Sequence, residues 1–333
     1  MNKLERVRAA LRGEEVDRVP ISFWGHSYFK EWTAEGLAEA MLENYHAGDW
    51  DFMKVNPRAS YHVEDWGARF ERPSDPEHSP PYTSVPVRYP EDWRRLRALE
   101  PDRGVLGEHL KALRLIRDGL KGEAYFIMTI FSPLSIAKYL AGNQPGPVRE
   151  SMARYRAALE AALDLISRVF AEYAQACLEA GAGGIFFATT GWASRGELGE
   201  DDYRRFGIPY DLRVVEAAAG KAPFNVLHNC GDNIYFDLAA EYPVEAVSWA
   251  ATLPGNPSLE EGKRRTPKAV IGGLSEKTAL VDGSPEEVAA EVTRALEQTG
   301  GRRLLLGPGC SISPRTPKAN LEAAAAAVRD RSK

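Results

Sequence analysis

Residues 223–232 read PFNVLHNCGD, a short apolar run that closes on a histidine and a cysteine two residues apart and then meets a glycine. The run from Pro223 to His228 predicts a β-strand, and in an extended chain residues two apart face the same side. Phe224, Val226, His228 and Cys230 therefore form one row, with the last pair leaving the C-terminal end of the strand together. Similar runs, bounded by Gly, Pro and polar residues, predict strands at Val19–Phe23, Asp51–Val55, Ala124–Ile130, Gly184–Ala188, Ala246–Trp249, Ala269–Gly272 and Arg303–Gly307. Helical patterns fill most intervals, at Leu37–Tyr45, Gly107–Arg117, Val148–Ala180, Asp201–Ala219, Pro285–Gln298 and Lys318–Arg329. Strand and helix alternating in this way predict an α/β fold, the (β/α)8 TIM barrel. A doubly wound open sheet would need a Gly-rich phosphate turn after its first strand, and PISFWGHSYF offers none.

A chain of 333 residues suits one such barrel as a single domain. Pro57–Asp102, rich in Pro, Trp and charge, reads as a long insertion after the second strand that covers the mouth. The 42 basic and 47 acidic residues leave a formal charge of -5 without long like-charge runs, which excludes a nucleic-acid footprint and an anionic membrane partner. The charged amphipathic N-terminus lacks the apolar core of a signal peptide, so a soluble, cytoplasmic protein is expected. Three widely spaced cysteines do not make a disulfide framework and are available as thiols.

Barrel enzymes draw their chemistry from the C-terminal ends of the strands. Those positions here are His26, Asn56, Phe131 and Ser132, Thr189 and Thr190, His228 and Cys230, Trp249, Leu274 to Glu276, and Cys310. Cys310, in LLLGPGCSI, follows a Gly-Pro-Gly lead-in that permits a sharp turn over the mouth. An imidazole and two thiolates from His228, Cys230 and Cys310 form a tetrahedral set suited to zinc, with the fourth position open for catalysis. Zinc there would hold a thiol as thiolate or polarise a leaving oxygen, both of use in methyl transfer. Cys177 stands on a helix among small apolar residues and reads as core.

Glu276 is a candidate fourth ligand, and Asp232 a helix cap or a partner orienting His228. His26 faces the mouth as a substrate-binding or proton-shuttling group, whereas His46, His62, His78 and His109 read as surface residues. Trp24, Trp66, Trp192 and Trp249 are candidates for a pocket wall or for core. The mouth offers no assured arginine or lysine for an anionic substrate group, and Arg58 and Lys277 are the candidates to reach it.

Several stretches resemble the uroporphyrinogen decarboxylase superfamily: RVRAALRGEEVDRVPI, FSPLSIAKYLAG, GELGEDDYRRFGIPYDLRVV, AVIGGLSEKTALVDGSPEEV and LLLGPGCSISPRTPKANLEAAAAAVRD. The resemblance spans nearly the whole chain and implies a (β/α)8 barrel. Within the superfamily, His228, Cys230 and Cys310 match the zinc motif of the corrinoid-linked, methylcobamide:coenzyme M type methyltransferases. That branch implies Zn2+, a corrinoid supplied by a partner protein, and a small-molecule thiol or methyl donor; it leaves a homodimer open. The decarboxylase branch is the alternative. Its arginine-bearing first-strand run is replaced here by ISFWGHSYFKEW, its Phe-Ser-Asp by KVNPRAS, and its Gly-His-Gly-like element by Gly309-Cys310. Tyr139 matches the active-site tyrosine of the decarboxylases. His26, Asn56, Tyr139, Trp249 and Glu276 are accordingly the expected substrate-binding residues around the metal.

Overall fold

The sheet that carries the site is parallel throughout, which buries both of its faces and explains why its strands are short, continuously apolar runs. The computed structural model describes residues 1–330. Nine strands are formed among them: β1 (Phe52–Val55), β2 (Arg69–Phe70), β3 (Tyr82–Ser84), β4 (Tyr125–Phe131), β5 (Ile185–Ala188), β6 (Val226–Asn229), β7 (Ala246–Trp249), β8 (Ala269–Leu274) and β9 (Leu304–Pro308). The main sheet has seven strands in the order β1-β4-β5-β6-β7-β8-β9, and β2 and β3 pair separately and antiparallel.

The segment predicted as the first strand, Val19–Phe23, is not a regular strand but lies between the two edges of the curled sheet. Ile21 bridges Leu306 in parallel. The Leu306 amide donates to Pro20 O (2.8 Å), Ser22 N to Leu306 O (3.1 Å), and Asp51 N to Ile21 O (2.9 Å). The ladder toward β1 stays incomplete for a local reason. Pro20 has no amide to give, and the Ile21 amide donates to the Asp51 carboxylate (2.9 Å) rather than to a backbone carbonyl.

Two apolar layers follow from strand alternation. Trp24, Phe52, Ile127, Phe186, Phe224, Val226, Ala246, Ala269, Ile271 and Leu305 fill the inside of the curl, while neighbours such as Met53, Val55, Phe187, Leu227 and Val247 pack outward against helices. Two predicted helices are each divided. Val148–Ala180 becomes Pro145–Arg154 and Arg156–Glu179, broken at Tyr155. Asp201–Ala219 becomes Glu200–Phe206 and Ile208–Ala218, where Pro209 restarts the helix after Gly207. Residues 57–102 hold the short helix Tyr61–Glu64, the β2–β3 pair and a 3-10 turn at Pro90–Arg95. Among the described residues no helix is long and apolar enough to cross a membrane.

Candidate metal centre

β6 delivers His228 and, just beyond its end, Cys230 on one side, as strand alternation requires. The turn after β9 brings Cys310 back to them. The ligand atoms of His228, Cys230 and Cys310 lie within 4.8 Å of one another, and the two sulfurs are 3.8 Å apart. An ion bound tetrahedrally at metal–sulfur distances of about 2.3 Å separates two thiolates by about 3.8 Å. The His228 ring shares a hydrogen bond between Nδ1 and the Ser248 hydroxyl across the β6–β7 pair (3.1 Å) and stacks on Phe186 (5.0 Å). Its Nε2 is buried and has no hydrogen-bond partner among the described residues. A buried, orphaned ring nitrogen beside two thiols is what a ligand set looks like without its ion. The hydrogen bond from Cys230, followed by the nearby His228 ring, holds the Cys310 thiol well below the usual range, and Cys230 is pushed up in return.

The three residues open onto a cavity of about 400 Å³, also lined by Trp24, His26, Lys54, Asn56, Tyr139 and Ser311 among others. His26 donates from Nδ1 to the buried Glu31 carboxylate (3.0 Å) and stacks on Tyr28. Asn56 accepts from Lys54 and donates to Ser311 (3.2 Å). Burial pushes the Tyr139 hydroxyl up to about 12, so it enters any chemistry protonated. Glu276 is buried beside Gly309, where a Cβ would stand 2.8 Å from its Oε2, and burial raises its carboxyl. It is not among the atoms that converge with the tripod.

Several expectations need correction. Trp249 is wholly buried outside the cavity: it packs on Phe236 (4.7 Å) and donates to Pro257 O (2.8 Å). The parity of β7 explains this, since Ser248 pairs in register with His228 and faces inward, which turns Trp249 out. Asp232 is exposed and caps no helix, because the turn at Phe236–Glu241 has no side-chain cap; Ser248 orients His228 instead. His62 and His109 are buried, and burial lowers both to about 3, so they are neutral core residues rather than surface ones. Arg58 is committed to Glu64 (2.8 Å) and Glu108 (3.2 Å), and Lys277 is exposed outside the cavity. The cations of the cavity are Lys54 and Lys138. Lys54 was legible as a charge two residues before Asn56, on the same inward face of a predicted strand. Cys177 is core, as expected.

A family model described as uroporphyrinogen decarboxylase (URO-D) matches residues 2–331. The chain belongs to the uroporphyrinogen decarboxylase family. A methylcobamide:CoM methyltransferase MtbA of Methanosarcina acetivorans is 25% identical over 332 residues, covering 96% of this chain and 95% of that protein. A uroporphyrinogen decarboxylase of Prochlorococcus marinus is 27% identical over 252 residues, covering 73% of this chain and 69% of its own. Among solved structures, a methyltransferase from Methanosarcina mazei superposes with a TM-score of 0.85 at 25% identity and covers 100% of both chains.

Proposed function

We propose that this chain is a zinc-dependent methyltransferase that moves a methyl group between a corrinoid carried by a partner protein and a thiol or methoxylated substrate. Its scaffold is read as one (β/α)8 domain in which Val19–Phe23 serves as the first strand and residues 57–102 as an insertion at the mouth. The observation that carries the reading is the convergence of His228, Cys230 and Cys310, from sites 80 residues apart in sequence, on one open cavity. Relatives aligned along nearly their full length are methyltransferases, which supports the same chemistry.

His228, Cys230 and Cys310 would hold the zinc, and with metal on Nε2 the His228 Nδ1–H would donate to the Ser248 hydroxyl. Bound zinc supplies Lewis acidity that keeps a substrate sulfur as thiolate or stabilises a departing oxygen. Trp24 and Phe186 close the floor of the cavity and exclude water from beneath the tripod. His26, Asn56 and Tyr139 line the space the substrate occupies, with Glu31 holding the His26 ring in place.

Protein purified without chelators should contain about one zinc per chain, and replacing Cys230 and Cys310 together by Ala should remove it. Retained zinc in the double variant sinks the reading. Conversion of uroporphyrinogen to coproporphyrinogen by the metal-free protein would decide for the decarboxylase branch instead.

A further inference from the structure

Lys54 is a buried amine on β1 that lines the cavity and makes no ion pair with a carboxylate among the described residues; burial lowers it to about 7, and the Cys310 and Cys230 sulfurs favour its charged form. Its charged form is removed from water and is sustained by anionic neighbours, which in the metal-free protein are the Cys310 and Cys230 sulfurs. Its side chain is fixed. It donates to Asn56 Oδ1, and Asn56 is itself tied to Ser311, the neighbour of Cys310. The ammonium stands 4.9 Å from the centre of the Phe186 ring, and that same ring stacks on His228. One aromatic ring thus separates the charge from a residue of the tripod. Lys138 differs in having a carboxylate, Glu197, within its electrostatic reach, whereas Lys54 has only the two tripod sulfurs among the described residues.

The charges of the tripod show which anion is missing. Two thiolates and a divalent ion sum to zero, so a loaded tripod presents no net charge for Lys54 to balance. An anionic ligand entering the open position leaves the centre at minus one, and Lys54 then supplies plus one. We propose that Lys54 is the counter-charge for the ligand at that position, so that the cavity favours a substrate atom bound as an anion, a thiolate sulfur or a phenolate-type oxygen, over a neutral ether, thioether or imidazole. This rests on the metal reading above and adds the charge of the bound species to it.

The test uses full-length protein loaded with cobalt(II), whose visible spectrum reports ligands entering the open position. Azide is the anionic probe and imidazole the neutral one, titrated at one fixed pH. Lys54→Met should weaken azide by about tenfold or more and change imidazole by less than about twofold. Lys54→Arg should keep azide near the wild-type value, and cobalt content should be the same in all three proteins. Equal weakening of both probes, or no change in azide, overturns the proposal while leaving the metal reading intact. If Lys54→Met does not fold, Lys54→Gln gives the same azide-to-imidazole ratio. Wild-type protein that takes up no cobalt fails the metal reading and the counter-charge with it.

Discussion

Ser248→Ala removes the hydrogen-bond partner of His228 Nδ1 (3.1 Å), at a position fully shielded from solvent. Metal at Nε2 obliges the ring proton to sit on Nδ1, so in the loaded protein the variant leaves a buried donor unpaired. In the metal-free protein the proton is free to move to Nε2, and the penalty falls mainly on the bound state. An unsatisfied buried donor costs about 1–3 kcal/mol, which corresponds to about 5- to 150-fold in zinc affinity. Competition against a chromophoric chelator measures this directly, with Ser248→Thr as a variant that keeps a hydroxyl. Zinc affinity unchanged in Ser248→Ala would refute the argument that this hydrogen bond sets the ligating tautomer. A loss of equal size in Ser248→Thr would point to packing as its cause.

Two further outcomes follow from the same structure. Gly309→Ala would place a Cβ 2.7 Å from Ala250 Cα and 2.8 Å from Glu276 Oε2, a clash relieved only by moving the turn that carries Cys310. Zinc content should fall and stability should drop by about 1–3 kcal/mol; full zinc occupancy would show that the turn tolerates the shift. Asp211 is buried and accepts from the hydroxyls of Tyr203 and Tyr242 (2.8 Å each), and burial raises its carboxyl to about 7. Because the folded value lies above the unfolded one, its stabilising contribution is complete below about pH 4 and is lost as pH rises through about 7. Ionisation therefore costs up to about 4 kcal/mol at alkaline pH, and Asp211→Asn should flatten the pH dependence of the urea midpoint between those limits. An identical wild-type-to-variant difference at pH 5 and pH 8 would contradict this.

Much of the candidate site was readable because strand alternation is a local rule. His228 and Cys230 had to share a side once Pro223–His228 was read as extended, and Cys310 had to lie near the mouth once Arg303–Gly307 was. Trp249 escaped the same rule because its strand end was identified without its parity, which only the pairing of Ser248 with His228 decides. Arg58 was misjudged for another reason: its ion-pair partners, Glu64 and Glu108, come from two separate helices, and no local pattern reveals such a commitment. His62 and His109 looked polar on their own, yet aromatic neighbours from distant elements enclose His62, and helix packing encloses His109.

The amino-acid sequence by itself determined the alternation of strands and helices, the side of β6 that bears the histidine and cysteine, and the donor types that suit a borderline-soft ion. These depend on backbone periodicity and side-chain chemistry, both carried by short stretches of chain. Tertiary structure decided what depends on long-range register. It brought Cys310 to 3.8 Å from Cys230, made Ser248 the partner of His228, and set a buried lysine with no carboxylate partner among the described residues in the same cavity. Distances between residues far apart in the chain follow from how the sheet curls and how its strands slide against one another, and no local pattern fixes either.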